Sequence, residues 1–122
     1  MAQNNRAVGT EYEKAAEQFL KKQGFKVIVK NFRCKQGEID LVGVDGNCLV
    51  FIEVKTRLHA VPGSGLMAVD RKKQQRIARA AVLYLINKGW MNLSVRFDVA
   101  EVTEKHVIHI PNAFQPGNMF YR

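Results

Sequence analysis

Four charged side chains interrupt two otherwise apolar runs in the middle of the 122-residue chain. Glu38 and Asp40 open the run Ile39–Val44, and Glu53 and Lys55 close the run Leu49–Val54. Both runs have the length and Val/Ile content of β-strands, and Asp45-Gly46 between them is a hairpin signal. A strand period of two puts Glu38 with Asp40, and Glu53 with Lys55, on common faces. With Asp45-Gly46 as a two-residue loop, Val44 faces Asn47, Asp40 faces Phe51 and Glu38 faces Glu53. All four charges then share one face, with Asp40 diagonal to Glu53; a three-residue loop would separate the pairs.

Like charges across a ladder repel, and carboxylates beside an apolar strand lose hydration. A divalent cation such as Mg²⁺ offsets both costs, because it takes hard carboxylate oxygens and keeps positions for water and phosphate. A lysine two residues from a ligand can hold the phosphate or polarise the attacking water. The set therefore suits metal-assisted hydrolysis of a phosphodiester. The competing reading is a purely structural one, in which Arg33, Arg57 and Lys55 pair the acids at a sheet edge.

The surrounding elements follow from periodicity. Residues 8–23 carry Tyr12, Ala15, Ala16, Phe19 and Leu20 as one helical stripe, ending at Gly24. Residues 25–33 read as a strand, then 38–44 and 48–56. Residues 57–67, with Pro62, Gly63, Ser64 and Gly65, read as a loop. A second helix runs from Arg71 to Asn87, capped by Asp70 and followed by Gly89, with Ile77, Ala80, Ala81 and Tyr84 inward. Residues 95–103 and 106–110 form a closing hairpin, and the tail from Pro111 is irregular. The order α-β-β-β-α-β-β implies an α/β fold with a mixed central sheet flanked by helices, in a single domain over 1–122.

The composition fits that fold: 47% hydrophobic and 25% charged residues describe an ordinary folded chain. No apolar run approaches the roughly 18–20 residues of a membrane helix, and the N-terminus has no apolar signal core, so a cytoplasmic protein is expected. Cys34 and Cys48 make neither a disulfide framework nor a zinc site and read as small apolar residues. The net charge of +8 favours a polyanionic partner, nucleic acid foremost. Lys73 shares the inner stripe of the second helix, so it points toward the sheet, with Arg76 beside it; a helix start rich in cations suits phosphate. His106 and His109 read as surface strand residues, and His59 as a loop residue beside the cluster. Asp98 is expected to pair with Arg96 or a neighbouring base.

The stretches "GEIDLV" and "VFIEVKTR" resemble those of the YraN family of small bacterial proteins. "EYEKAAEQFLKKQGFKVIVKNFR", "AVDRKKQQRIARAAVLYL", "RFDVAEV" and "HIPNAF" extend the likeness over nearly the whole chain. That family is assigned to the restriction-endonuclease-like, PD-(D/E)xK nuclease superfamily and is compared with Holliday-junction resolvases. The resemblance implies a restriction-endonuclease-like fold and an Mg²⁺- or Mn²⁺-dependent endonuclease acting on DNA, more than on RNA, including branched DNA. Asp40, Glu53 and Lys55 take the motif positions and Glu13 the first-helix acid. Glu13, Asp40 and Glu53 would hold the metal, Glu38 would be an auxiliary acid, and Lys55 would position or activate water. Arg57, Lys73 and Arg76 would contact phosphate. Ile39 stands where the motif has proline, and Tyr12 where the family often has glycine. A junction's two-fold symmetry would suit a homodimer. The alternatives are a catalytically inactive nucleic-acid-binding module of the same fold, and an interaction protein that docks through the 57–67 loop.

Overall fold

The computed structural model describes residues 5–57, 69–90 and 92–115, with side chains from residue 11 onward. The elements are α1 (Asn5–Lys22), β1 (Lys26–Cys34), β2 (Gly37–Asp45), β3 (Cys48–Thr56), α2 (Arg71–Lys88), β4 (Ser94–Val102) and β5 (Val107–Ile110). The strands form one sheet in the order β1-β2-β3-β4-β5. All neighbours are antiparallel except β3 and β4, which α2 joins as a parallel pair. The element order is the one the periodicity predicts, with α1 starting three residues earlier. Among the described residues, no helix is long and apolar enough to cross a membrane. The loop at 57–67 lies, apart from Arg57, outside the described residues, and so does His59.

Each face of the sheet is covered by one helix. Ala16 and Leu20 of α1 pack with Leu41, Val50, Ile52, Ala100 and Val102. Ile77, Ala80, Ala81, Tyr84 and Leu85 of α2 pack with Val42, Leu49, Phe51, Phe97 and Val99. The two sets alternate along β3 and β4, as the pleat of a strand buried on both faces requires. Asp70 caps α2 by accepting from the Lys73 backbone N–H at 2.8 Å, and Gly89 closes its other end.

The hairpin loop sits one residue further along than the Asp-Gly dipeptide suggests. Asp45 pairs with Cys48, so the loop is Gly46-Asn47, with Gly46 at φ 60 in its first position. That is the place where a type II′ turn requires glycine. Moving the loop by one residue moves every partner by two, so face parity survives. The bonded ladder ends at Leu41 and Ile52. Continuing its count brings Asp40 opposite Glu53, rather than opposite Phe51, and no longer sets Glu38 against Glu53.

A second departure lies in β1 and β2 themselves. Lys30 pairs with Leu41 and Phe32 with Ile39, and the register passes over Asn31 and Asp40 between them. Lys30 and Leu41 face α1: Lys30 binds Glu17 at 3.5 Å, and Leu41 packs on Ala16 and Leu20. Phe32 and Ile39 face α2, with the Phe32 ring edge-on to Tyr84 at 5.2 Å. Residues two apart on a strand should share a face. Here they do not, because Asn31 adopts φ 55, in the left-handed region, and turns the hairpin end over.

Candidate active site

Asp40 stands at this inversion, where β2 and β3 cease to bond as a ladder. Its carboxylate fills the gap by accepting the Val54 backbone N–H at 2.7 Å. The side chain is thereby aimed along the sheet toward β3 and Glu53. Both acids are buried, at 8% and 5% exposure. Burial pushes the Asp40 carboxyl up to about 8, and the adjoining Glu53 charge adds to the rise against the opposing Val54 bond. The neutral form of Asp40 is thereby favoured beside Glu53, as burial and a neighbouring carboxylate require.

Two ammonium groups meet the same oxygen of Glu53. Lys55 Nζ lies 3.1 Å and Lys73 Nζ 2.7 Å from Oε2. Lys55 reaches it from the same strand face, as the E-x-K spacing predicts, and Lys73 comes down from the first turn of α2. Burial, with the Lys73 ammonium beside it, holds Lys55 below the ordinary lysine range. Lys73 is held above that range, because the bond to Glu53 and its neighbours outweigh the cost of burial. The inward direction of Lys73 was legible from the helix stripe, but its partner in this structure is a carboxylate.

Glu13 sits half-buried on α1. Burial and then the charge of Glu38 raise its carboxyl, a hydrogen bond from the Asn31 side chain opposes the rise, and Glu53 contributes a further push upward. Glu13 is therefore within electrostatic reach of the acidic pair. Its helix neighbour Glu17 serves instead as an anchor, bound to Lys21 at 3.0 Å and to Lys30. Glu38 does not join Glu53 on a buried face. The inversion leaves its side chain 55% exposed, paired with Arg33 Nε at 3.2 Å.

Above Glu53 opens a cleft of about 680 Å³, walled by Arg33, Cys34, Gly37 and Glu38 on one side and by Asp70, Lys72, Lys73, Arg76 and Ile77 on the other. Its two walls pack closely at Gly37, where a Cβ would come 3.1 Å from the Arg76 carbonyl oxygen. Arg76 and Lys73 thus flank the cleft together. Arg57 lies past the end of β3, where its backbone N–H donates to the Val102 carbonyl at 2.8 Å, and it is not among the described residues lining the cleft.

Asp40 and Glu53 offer the hard oxygens a divalent cation takes, and the upward push on the Asp40 carboxyl is the kind of cost such a cation would offset. Among the described residues, no three Asp, Glu, His or Cys side chains converge closely enough to cage a metal as they stand. The donor set fits a cation held by two carboxylates, with Glu13 as the acid that must close in.

Three residues escaped the sequence reading. Asn31 looked like an ordinary strand residue, although a lone Asn amid Val, Ile and Phe is a signal for left-handed backbone. Glu101 is fully buried and lies in register beside Lys55 on β4; the repeat of Glu-Val at the ends of both parallel strands was the available hint. His109, expected at the surface, is instead bound to buried Asp98, with Nε2 and Oδ2 2.6 Å apart. Asp98 also takes a two-point contact from Arg96, at 2.8 and 2.9 Å, and the Asn112 backbone N–H at 2.8 Å. Phe114 stacks on Phe97, so this carboxylate and the ring together pin the tail to the sheet.

The sequence itself has close relatives. A family model described as "Uncharacterised protein family UPF0102" matches residues 12–102, which include Glu13, Glu38, Asp40, Glu53, Lys55, Arg57, Lys73 and Arg76. The UPF0102 protein of Caldanaerobacter subterraneus subsp. tengcongensis is 43% identical over 118 residues, covering 91% of this chain and 97% of the relative. Those of Geobacter metallireducens and Geobacter sulfurreducens are 38% and 39% identical, covering 94% and 92% of this chain. The YraN-like motifs and these full-length matches agree, and the chain belongs to the UPF0102 family.

Proposed function

We propose that the cleft is the catalytic centre of a divalent-metal-dependent endonuclease that hydrolyses phosphodiester bonds in DNA, in the manner of PD-(D/E)xK nucleases. The observation that carries this reading is the buried Asp40–Glu53 pair with two lysines on Glu53, whose carboxylate lines a cleft walled by Arg33, Lys72, Lys73 and Arg76. A binding surface for polyanions has no use for buried acids at its floor, because they repel phosphate and cost desolvation. Asp40, Glu53 and Glu13 would hold Mg²⁺ or Mn²⁺, which supplies Lewis-acid stabilisation of the phosphoryl oxygens and lowers the pKa of water.

The protein's own groups do the rest. Lys55 donates a hydrogen bond to the attacking water and orients it, the water oxygen bonds to phosphorus, and the water's proton passes to bulk solvent. The bond from phosphorus to the leaving sugar oxygen breaks, and that oxygen takes up a proton from solvent. Lys73 and Arg76 hold the flanking phosphate charge. Glu38, paired with Arg33 at the cleft wall, lies outside the buried pair and serves as an auxiliary acid. Arg57 contacts the backbone beyond the cleft. The setting is the reducing cytoplasm, consistent with free Cys34 and Cys48.

The test separates chemistry from docking. Glu53→Gln and Lys55→Met should abolish cleavage in Mg²⁺ or Mn²⁺ across duplex, fork, four-way-junction, single-strand and RNA substrates. Binding in Ca²⁺, read by gel shift, should stay within a few-fold. Wild type that cuts none of these substrates would leave the second reading, a nucleic-acid-binding module of the same fold. One observation favours that reading: the two ammonium groups already neutralise Glu53 internally.

A further inference from the structure

The inner stripe of α2 packs in the core, from Ile77 to Leu85. At about 100° per residue, the opposite side of the helix carries Lys72, Arg76, Arg79, Leu83 and Ile86 in one row. Lys72 and Arg76 also wall the cleft, so the row begins at its mouth. Arg79 continues it by a turn, and all three cations are exposed. None of them is among the ion pairs formed by the described residues. No Asp or Glu occurs between Asp70 and Asp98.

The far end of the row is apolar and open to water. Ile86 is 56%, Trp90 38% and Leu93 45% exposed. The Gly89 N–H donates to the Ile86 carbonyl at 3.1 Å and the Trp90 N–H to that of Leu85 at 2.9 Å, which fixes the backbone that carries the Trp90 ring. A helix end of this kind favours an apolar residue that packs back on the last turn, and the edge contact of Trp90 with Tyr84 at 6.2 Å meets that preference. It does not account for Ile86 and Leu93, which stand open on either side of Trp90 in the chain. The Lys88 ammonium lies 5.9 Å from the Tyr84 ring centroid and 6.0 Å from that of Trp90.

A line of cations that ends at an open aromatic ring suits a single nucleic-acid strand, whose phosphates follow the cations and whose bases stack on the ring. A duplex hides its base faces and would lay phosphates on Ile86. A two-fold copy of this chain would set Arg76 and Arg79 of one α2 against Ile86 of the other, with no acid on either helix to pair them. From Lys72 to Ile86 the row covers about 21 Å, the length of about six stacked nucleotides.

We propose that the outer row of α2 is a track for an unpaired nucleic-acid strand leaving the cleft, with its phosphates on Arg76 and Arg79 and a base stacked on Trp90. This rests on the reading of the cleft as a nucleic-acid site, and it adds the class of substrate: one with unpaired bases beside the cleft.

Trp90 is the one tryptophan in the chain, so its fluorescence reports the track directly. The full chain, in EDTA, is titrated with oligothymidine, oligouridine, an abasic strand of the same length and a blunt duplex. The two base-bearing strands should quench the emission, and the ratio of their affinities distinguishes DNA from RNA. The abasic strand should bind about 10-fold more weakly, and neither it nor the duplex should quench. Trp90→Ala, read by anisotropy of a labelled strand, should weaken oligothymidine binding about 10-fold and leave abasic binding unchanged, and Trp90→Phe should restore most of the loss. Arg79→Ala, outside the cleft, should lower the salt slope by about 0.7. Equal oligothymidine binding by wild type, Trp90→Ala and Arg79→Ala overturns the track and leaves the cleft as the nucleic-acid site. So does an emission that shifts with protein concentration alone beside a dimer in sedimentation, since the apolar end is then an interface between copies. Wild type that binds none of these nucleic acids at low salt overturns both readings.

Discussion

Asp40→Asn is the most informative single change. In the folded protein the Asp40 carboxyl is pushed up to about 8 from an ordinary 3.8, mainly by burial. Below pH 4 both folded and unfolded chains carry the proton, and Asp40 costs nothing. As pH rises, the unfolded chain releases it while the folded one keeps it, so stability falls steadily until about pH 8 and then levels. By pH 7 the part of the rise already crossed corresponds to about 4 kcal/mol of lost stability. Part of that rise comes from the neighbouring Glu53 charge, so about 2 kcal/mol is the working figure for Asp40 itself. Asparagine keeps the Val54 bond, because its amide oxygen still accepts, and its NH₂ can donate to Glu53 without ionising. The variant should therefore be more stable than wild type at pH 7–8, by roughly 5–10 °C in Tm, and nearly equal to it at pH 4. Divalent metal should raise the wild-type Tm and raise that of the variant much less. Thermal melts from pH 4 to 8, with and without Mn²⁺, read all of this. A wild-type Tm that is flat or climbs from pH 5 to 8, or a variant less stable at pH 8, would show that the pair is an ordinary structural contact.

Lys73→Ala removes one of the two cations from Glu53. It should bind Mn²⁺ more tightly than wild type by calorimetry, yet bind DNA more weakly and with a salt slope lower by about one unit. An unchanged slope would place Lys73 away from phosphate. Asp98→Ala strands Arg96 and His109 beside an apolar wall and should cost about 3–5 kcal/mol in urea melts. Asp98→Asn is milder and tests the sign of its titration. Burial alone would raise the Asp98 carboxyl, but His109, Arg96 and the Asn112 N–H outweigh it and hold it low. Its contribution is thus present above the ordinary aspartate range and lost as pH falls below about 4, so the variant should lack that part of the acid-unfolding limb.

The helices and strands were legible because each carries a clean period and punctuation: Asp70 and Gly89 bracket α2, and the Val/Ile runs bracket Gly46. The closeness of Asp40 to Glu53 survived a misplaced turn because a one-residue slide preserves parity. The inversion at Asn31 was not legible, since period-two counting assumes that every residue in the strand has strand backbone. Glu38 was misplaced for that reason: parity put it on the buried face, and the turned-over hairpin end put it in solvent beside Arg33. The phosphate contact expected of Lys73 comes from helix-end electrostatics, which say nothing of the Glu53 carboxylate that Lys73 also meets on the facing strand. His109 and Asp98 lie 11 residues apart on adjoining strands, and their meeting depends on the β4–β5 register, which single-strand patterns do not contain.

The turned-over end of the β1–β2 hairpin bears on how this protein could change. A sheet with Asn31 in ordinary strand geometry and an apolar residue at 40 would be the more stable object, since it would bond its ladder throughout and bury one carboxylate fewer. The chain carries a fault line at the one place where its two layers of charge come together. Selection or engineering for heat resistance alone should therefore heal this fault first, at positions 31 and 40. The outcome would be a more robust scaffold, in which a continuous ladder has replaced the candidate site.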